Sequence, residues 1–485
     1  MRQLSVFLLF VLVLDYCGNA QQPMASGGTA ITATDADTST SRPLSVAEFL
    51  AMVRQFHPVA RQAALLTDKA KANLLIARGS FDPSISSTYN RKEFDGKNYY
   101  SFFENNVKVP LWYGDVKGGY DRAYGTSINP EDRLPDQGLG YVGIELPLVK
   151  NMLIDKRRAA LKEAQIYAQS NDAARVAMLN DLLLNALITY YDFCYAYANV
   201  QLFEKAVSLA EQRYTATQQL VIHGDKPAID TTEALTILQT RQFGYNEAQL
   251  LWQQKRFELS AYLWSEDQQP VVLPIAIKPD SLAIQELFAS VSLLQLESLR
   301  DQITQKHPEV RAYDFKLQQL QVERRVKLEN LKPELNAGYN YLITDKNAVK
   351  SLLPQDNYKL GVSFRMPLSF TQARGEYQMT KLKLREVQLD RDWKNAQLIQ
   401  KFNSTSAELF NLQQQVNLYQ TSLKNYEQLF TGEQVRFLNG ESTLFLVNSR
   451  ETKMLEVAQK VRELQAKCFQ VVAKLKWTAG ILSAQ

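Results

Sequence analysis

The sequence predicts a mainly α-helical chain with a smaller set of β-strands, built from two similar halves. Residues 148–223 and 376–431 contain neither Gly nor Pro, so each is expected to form one long helix. A helix of the first length would reach roughly 110 Å. Such helices need neighbours along their whole length, from the same chain or from other copies of it. Short alternating segments flank both stretches, and landmark residues recur between the halves.

Residues 1–20 are typical of a secretory signal peptide, with Arg2 before an apolar core and a small-x-small cleavage site ending at Ala20. A lipoprotein signal acylated at Cys17 is the alternative, but bulky Tyr16 stands where that signal has a small residue. Residues 21–43, rich in Ser, Thr, Ala and Gly, predict a flexible leader.

No later run reaches the roughly 18 apolar residues of a transmembrane helix. A soluble exported protein and a β-barrel both stay open, because barrel strands are too short to show in hydropathy.

Composition excludes several classes of function. The net charge of +4 over 485 residues, with basic residues scattered among acids, argues against a nucleic-acid partner. Cys194 and Cys468 fall on apolar helical seams, which favours small buried hydrophobes over a disulfide. His57 and His307 lie at helix breaks, which favours a structural role over catalysis, and His223 has no Cys or His nearby to share a metal. Carboxylates mostly follow patterns typical of exposed helix faces. Without a phosphate loop or nucleophile elbow, we expect no enzyme, cofactor or metal.

A duplication is visible in one ungapped register. His57-Pro58 recurs as His307-Pro308, and Pro83 recurs as Pro333; 307 minus 57 and 333 minus 83 both give 250. Pro147 and Pro367, each ending a strand pattern, are offset by only 220, so the first half carries 30 extra residues (250 minus 220). The predicted domains are a first repeat 44–265 (strands about 84–147, helical hairpin about 148–265), a connecting segment 266–300, and a second repeat 301–485 (strands about 334–367, helical hairpin about 371–480).

The strand predictions rest on alternation. Between Tyr358 and Met366 every second residue is apolar, whereas Lys359, Ser363 and Arg365 lie on the other face. The extra segment, residues 99–138, forms either an additional hairpin, which gives six strands, or an outer loop plug, which leaves four. A half-buried soluble sheet shows the same alternation as a membrane barrel.

The long helices carry heptads that predict left-handed coiled-coil packing. The seams are Leu409, Leu412, Val416, Tyr419, Leu423, Tyr426 and Phe430 in one helix, Met454, Val457, Val461, Leu464, Cys468, Val471 and Leu475 in another, and Leu183, Leu187, Tyr190, Cys194 and Tyr197 in the first half. Tight loops at Gly224 and Gly440 are expected to end the helices, with acid or hydroxyl residues just after them capping the next. Each loop is therefore a hairpin tip far from the strands.

Together these features resemble the TolC-like outer-membrane efflux proteins, over essentially all of residues 44–482. The resemblance rests on the signal peptide, the duplicated halves, the His-Pro helix breaks, the strand-to-helix junctions at Pro147 and Pro367, and the glycine tips. Residues 437–446 are similar to the family's second tip. The resemblance implies a homotrimer whose strands close one outer-membrane β-barrel, continuous with a periplasmic α-helical coiled-coil barrel.

The family's tips form a gate, and acidic residues often follow the tip glycines. The corresponding tip residues here are Gly224, Asp225, Asp230, Gly440, Glu441 and Leu446. Asp230 occupies an acidic position of the family, whereas Leu446 stands at the equivalent place in the second tip, so an acidic ring is half supported. Three copies of Asp230 near one axis would attract cations; an exposed helix-start Asp stabilised by the helix dipole is the alternative.

The function that the resemblance implies is a passive exit duct in the bacterial outer membrane. Its helices would stand in the periplasm and meet an adaptor protein and an inner-membrane pump, in an efflux or type I secretion system. The runner-up is a periplasmic coiled-coil scaffold that does not span the membrane. A lipid-facing belt on the strands, with aromatic girdles, discriminates the two. The transported substrate cannot be read from the chain.

Overall fold

The computed structural model describes residues 43–280, 307–344 and 357–482, together with Arg300 and Ile303. The predicted signal peptide, Cys17 and the predicted leader up to residue 42 lie outside the described residues, as does most of the connecting segment beyond residue 280.

Six of the described helices fall into matching pairs. The described helices are α1 Val46–Phe56, α2 Pro58–Gly79, α3 Lys156–Ile222, α4 Ala228–Ser260, α5 Pro308–Glu329, α6 Thr371–Leu438 and α7 Leu444–Thr478. The helices α2 and α5 have 22 residues each, α3 and α6 have 67 and 68, and α4 and α7 have 33 and 35. The equal lengths agree with a duplicated unit of one short helix, strands and a long helical hairpin.

The two His-Pro pairs have the same structural role. His57 Nδ1 accepts the backbone N–H of Val59 at 3.2 Å, and His307 Nδ1 accepts that of Glu309 at 3.2 Å. Each histidine is thus the N-cap of the helix that follows, with proline at its first position, where no N–H is needed. The expectation that these residues are structural is confirmed.

All described strands form a single antiparallel sheet in chain order. They are β1 Ser84–Phe94, β2 Lys97–Pro110, β3 Asp115–Tyr124, β4 Leu139–Pro147, β5 Glu334–Ile343 and β6 Tyr358–Arg365. Strands β2 and β3 form the extra hairpin of the first half, which decides for six strands over four. A short 3₁₀ helix, Pro130–Asp132, lies in the loop that follows β3. The halves join where Ile144 of β4 pairs with Tyr339 of β5.

The two edge strands of the sheet are connected to the two outermost helices of a row of helices. Near the sheet, α2 packs on α3, α3 on α5, and α5 on α6. Because α2 leads into edge strand β1 and edge strand β6 leads into α6, one side of the row ends in α2 and β1 and the other in α6 and β6. Towards the tips the order is α4, α3, α7, α6.

The predicted seams of α3 and α6 are largely buried. Leu409, Leu412 and Val416 of α6 pack with Leu464 and Cys468 of α7 in one cluster. Nearer the tip the predicted α7 seam is wrong by one residue, since Leu455 and Ala458 are buried in place of Met454 and Val457. The reason is that α7 packs against α3 as well as α6, so its buried stripe turns towards Leu202 and Ala206 of α3.

Both described cysteines are buried and free, as the sequence predicts. Burial raises the pKa of the Cys468 thiol to about 11 and raises that of Cys194 further. Among the described residues, none of the helices combines the length and apolarity that crossing a membrane requires. In that same part of the chain, no group of three or more His, Cys, Asp or Glu side chains is placed to hold a metal ion.

Candidate functional site

One face of the sheet is polar and charged. Lys108 and Asp115 form an ion pair at 2.9 Å across β2 and β3, and Lys117 pairs with Glu145 across β3 and β4. The hydroxyl of Tyr141 donates to Asn106 on the same face. Because side chains alternate along a strand, the cross-strand register places these groups together.

The opposite face is apolar and open. Its side chains remain exposed in the single chain, with Leu360 at 63 % and Val362 and Phe364 each at 65 %. The exposed apolar side chains of this face are Ile85, Tyr89, Phe103, Val107, Tyr120, Val142, Ile144, Leu146, Tyr358, Leu360, Val362 and Phe364. A half-buried soluble sheet hides its apolar face on a core. This sheet leaves that face uncovered and has most of its charged side chains on the other, with Arg91 and Arg122 as exceptions near the ends of β1 and β3.

The junctions at Pro147 and Pro367 are looser than the sequence suggests. Pro147 is still paired with Asn336 in the sheet, and the next helix begins only at Lys156, not directly after the proline. Asp155 caps that helix by accepting the N–H of Arg158 at 2.9 Å. The intervening loop redirects the chain from strand to helix and includes Asn151 at φ +67°. After Pro367 the helix begins at Thr371.

The two hairpin tips end their helices in the same way. Gly224 and Gly440 have φ of +85° and +78°, a conformation that glycine adopts without strain. No atom lies within 4 Å of a Cβ placed at either glycine, so the backbone and not crowding requires glycine. Each tip closes with a Schellman pair of backbone bonds, Asp225 N to Leu220 O and Gly224 N to Val221 O in the first, Glu441 N to Arg436 O and Gly440 N to Phe437 O in the second.

The starts of the next helices differ. Thr443 caps α7, its hydroxyl accepting the N–H of Leu446 at 3.4 Å, as a hydroxyl after the glycine predicts. The first tip departs from that prediction, because Pro227 stands at the N-cap and Asp225 does not cap. Asp230 lies in the first turn of α4, and no described cation pairs with it. Leu446 takes the same turn of α7 and is 40 % exposed.

Both tips display apolar side chains at matching positions. Ile222 and Leu438 are the last residues of their helices and are 73 % and 81 % exposed. Ile229 and Phe445 are the second residues of the following helices and are 69 % and 68 % exposed. The sequence reasoning did not single out these four residues, although the duplicated tip pattern contains them.

A buried polar network joins the two hairpins behind the tips. Glu451 of α7 is fully buried; it accepts from Arg213 of α3 at 2.8 Å and lies 3.6 Å from Arg241 of α4. Arg213 also donates to Asn448 at 2.8 Å. The interpretation of carboxylates as exposed is therefore wrong for Glu451. Nothing in its local pattern marks it, since its burial depends on where α3 and α4 lie.

The first tip also contacts the end of α6. The ammonium of Lys226 lies 5.0 Å from the ring centre of Phe437, within cation–π range. Asn448 of α7 donates to Glu233 of α4 at 3.3 Å. The tips of one chain are thus held side by side.

Comparison with solved structures gives one consistent answer. The chain is similar to the outer membrane channel CmeC of Campylobacter jejuni, with a TM-score of 0.60 at 14 % identity over 96 % of this chain and 94 % of that one. It is similar to the outer membrane protein VceC of Vibrio cholerae, with a TM-score of 0.60 at 13 % identity over 90 % and 96 %. It is also similar to the open state of the MtrE outer membrane channel of Neisseria gonorrhoeae, with a TM-score of 0.61 at 14 % identity over 90 % of this chain and 88 % of that one.

No protein-family model matches the sequence, and no curated protein matches it. The chain therefore has the fold of these outer-membrane channels at low sequence identity. The resemblance to TolC-like proteins that the sequence indicates is confirmed at the level of the fold.

Proposed function

We propose that this protein is an outer-membrane exit duct, a passive channel without enzymatic activity. The observation that carries the proposal is the two-faced sheet, with an open apolar face opposite a charged one. In lipid the apolar face is solvated by acyl chains while the charged face lines water. The fold shared with outer-membrane channels supports this assignment.

The sheet needs other copies to close. Strands β1 and β6 each lack a described partner on one side, and unpaired backbone groups are costly in lipid. Because one side of the chain ends in α2 and β1 and the other in α6 and β6, head-to-tail copies would close sheet and helices together. A homotrimer, as in the family, would form one barrel continuous with a periplasmic tunnel of helices.

The tips are the proposed gate and docking end. The same arrangement of exposed apolar side chains occurs at both tips, Ile222 and Ile229 at the first and Leu438 and Phe445 at the second. These side chains would provide contacts for a periplasmic adaptor protein. Asp230 and Leu446, in equivalent first turns, would lie near the axis of the assembly. Energy for transport would come from an inner-membrane pump, in an efflux or type I secretion system. The two repeats, residues 44–265 and 301–485 joined by 266–300, would be the functional units.

The alternative, a periplasmic scaffold outside the membrane, is not favoured. It would leave the apolar sheet face, including Val362 and Phe364, in water. Exposed apolar patches of this kind mark an interface with lipid or another protein.

The test is single-channel conductance of the detergent-purified protein in a planar bilayer, with its mass in detergent measured alongside. Trimers that give discrete current steps support the duct. Asp230→Ala is expected to lower the preference of the current for cations, because three copies of this carboxylate near the axis would attract them. Asp68→Ala, on a helix near the sheet, is the matched control and leaves that preference unchanged. A protein that never inserts and carries no current contradicts the proposal.

A further inference from the structure

A cavity of about 570 Å³ lies between α3 and α5, where these helices reach the sheet. The turn between β2 and β3 contributes Trp112, and the loop between β4 and α3 contributes Leu153. Leu161 of α3 and Leu328 of α5 complete its apolar wall. None of the function proposed above uses this cavity.

The cavity opens on the same side as the apolar face of the sheet. Lys327 and Asn330 of α5 line a different cavity together with Glu334, which belongs to the polar face. Successive helical residues are rotated by about 100°. Arg325 and Leu328 therefore lie on the opposite side of α5, towards the face that we assign to lipid.

Apolar side chains on the rim of the cavity are exposed, although contacts hold the segments that carry them in place. Arg158, only 6 % exposed, donates to the carbonyl oxygens of Asn151 and Met152 and so fixes the loop backbone. Leu153 in this loop is nevertheless 73 % exposed. Trp112 is held by stacking on Phe81 at 5.9 Å between ring centres. A fixed backbone that displays apolar side chains suits a constant apolar surrounding.

The far end of the cavity is charged. Lys162 and Arg325 line it, both are exposed, and neither forms an ion pair with another described residue. Glu329, the last residue of α5, lines the opposite end of the cavity, beside the sheet, and is only 4 % exposed. Its Oε1 accepts from Lys332 at 2.6 Å, but its Oε2 is buried without a hydrogen-bond partner. The end of the cavity away from the sheet thus offers two free cations, and the end beside the sheet holds one buried acceptor without a hydrogen-bond partner.

These groups are ordered along the direction away from the sheet. Trp112 lies in the turn between β2 and β3 and Leu153 lies in the loop before α3, whereas Lys162 lies six residues into α3, about 9 Å beyond the start of that helix. Arg325 is likewise further from the sheet than Leu328, because α5 runs towards it. A phospholipid of the periplasmic leaflet has the same order, with acyl chains towards the membrane centre and phosphate outside.

We propose that the α3–α5 cavity binds one phospholipid. Its acyl chain would pack on Trp112 and Leu328, and its phosphate would meet Lys162 and Arg325. The helices α3 and α5 are the middle pair of the row, so the neighbouring copies of a closed ring leave this cavity free. The inference rests on the proposed membrane location and adds a specific lipid partner to it.

The test is native mass spectrometry of the full protein in mild detergent, titrated with phosphatidylethanolamine. We expect one lipid bound per chain, and binding at least tenfold weaker in Lys162→Glu/Arg325→Glu. The control is Lys316→Glu, an exposed lysine on the opposite side of α5, which should bind as the unchanged protein does.

Equal lipid retention in the double variant and in Lys316→Glu would overturn the site, and so would displacement of the lipid by millimolar inorganic phosphate alone. Conductance of the same samples separates the two proposals. Loss of lipid retention with unchanged current steps supports the lipid site and the duct together. Specific lipid binding without any current supports the site and contradicts the duct.

Discussion

Arg213 and Glu451 are 238 residues apart in sequence, yet the guanidinium donates to the carboxylate at 2.8 Å. The two side chains are 11 % and 1 % exposed, so the pair is largely removed from solvent. Removing one member of a buried pair leaves the other charge uncompensated. The pair therefore links the first helical hairpin to the second, and its loss is expected to destabilise both hairpins.

The first prediction concerns this pair. Glu451→Gln preserves shape but leaves Arg213 and Arg241 without their carboxylate, and we expect a loss of about 3–5 kcal/mol in the free energy of unfolding. Thermal unfolding in detergent measures it. The matched control is Glu456→Gln, which removes an exposed partner of Lys453 on the same helix and should leave the midpoint unchanged. Equal midpoints for the two variants would contradict the structural importance of the network.

The second prediction concerns the tip glycines. Gly440→Ala places a Cβ on a residue with φ +78°, which costs about 1 kcal/mol in stability. Gly432→Ala is the control, because Gly432 lies inside α6 with no atom within 4 Å of the added Cβ. There alanine should stabilise by about 0.5–1 kcal/mol. Chemical denaturation measures both, and the same sign for both substitutions would argue against the tip geometry.

The third prediction tests the two faces of the sheet. Val362→Arg puts a charge on the apolar face and is expected to cost about 2–4 kcal/mol in a bilayer, since lipid cannot solvate the guanidinium. Ser363→Arg, the next residue on the polar face, should be tolerated. The amount of folded protein in the outer-membrane fraction reports the difference. If the Ser363 variant were depleted instead, the assignment of the faces would be reversed.

The fourth prediction concerns pH. Burial lowers the pKa of His307 below its ordinary value. It also lowers the pKa of His57, which is less deeply buried. The folded state therefore favours neutral imidazole, and the stability from both caps is complete above about pH 6.5 and declines as the pH falls through the folded pKa. Protonation also removes the Nδ1 acceptor for the N–H of Glu309.

The measurement is the unfolding midpoint between pH 7.5 and 5. We expect a fall in the unchanged protein and a smaller fall in His57→Asn/His307→Asn, because asparagine caps a helix without titrating in this range. The single variant His223→Asn, at the exposed first tip, serves as the control and should keep the full pH dependence. A double variant with an unreduced slope would show that other groups are responsible.

Much of the fold is readable from local patterns. The absence of Gly and Pro predicts α3 and α6, alternation predicts β4 to β6, and Gly224 and Gly440 predict the tips. The start of α3 was not predicted correctly: the helix begins at Lys156 and not near residue 148, because the chain needs the loop before Asp155 to turn from sheet to helix. The seam of α7 differs for a related reason: a heptad does not reveal that a helix packs against two neighbours.

By itself the sequence determined the duplicated order of helices and strands, the helix breaks at His57 and His307, and the hairpin tips, because each depends on residues within a few positions of one another. Only the tertiary structure decided that the extra segment is a strand pair, that Glu451 meets Arg213, and that Trp112 and Lys162 line one cavity. Those features depend on side chains brought together from distant parts of the chain, and no local spacing encodes where distant helices come to lie.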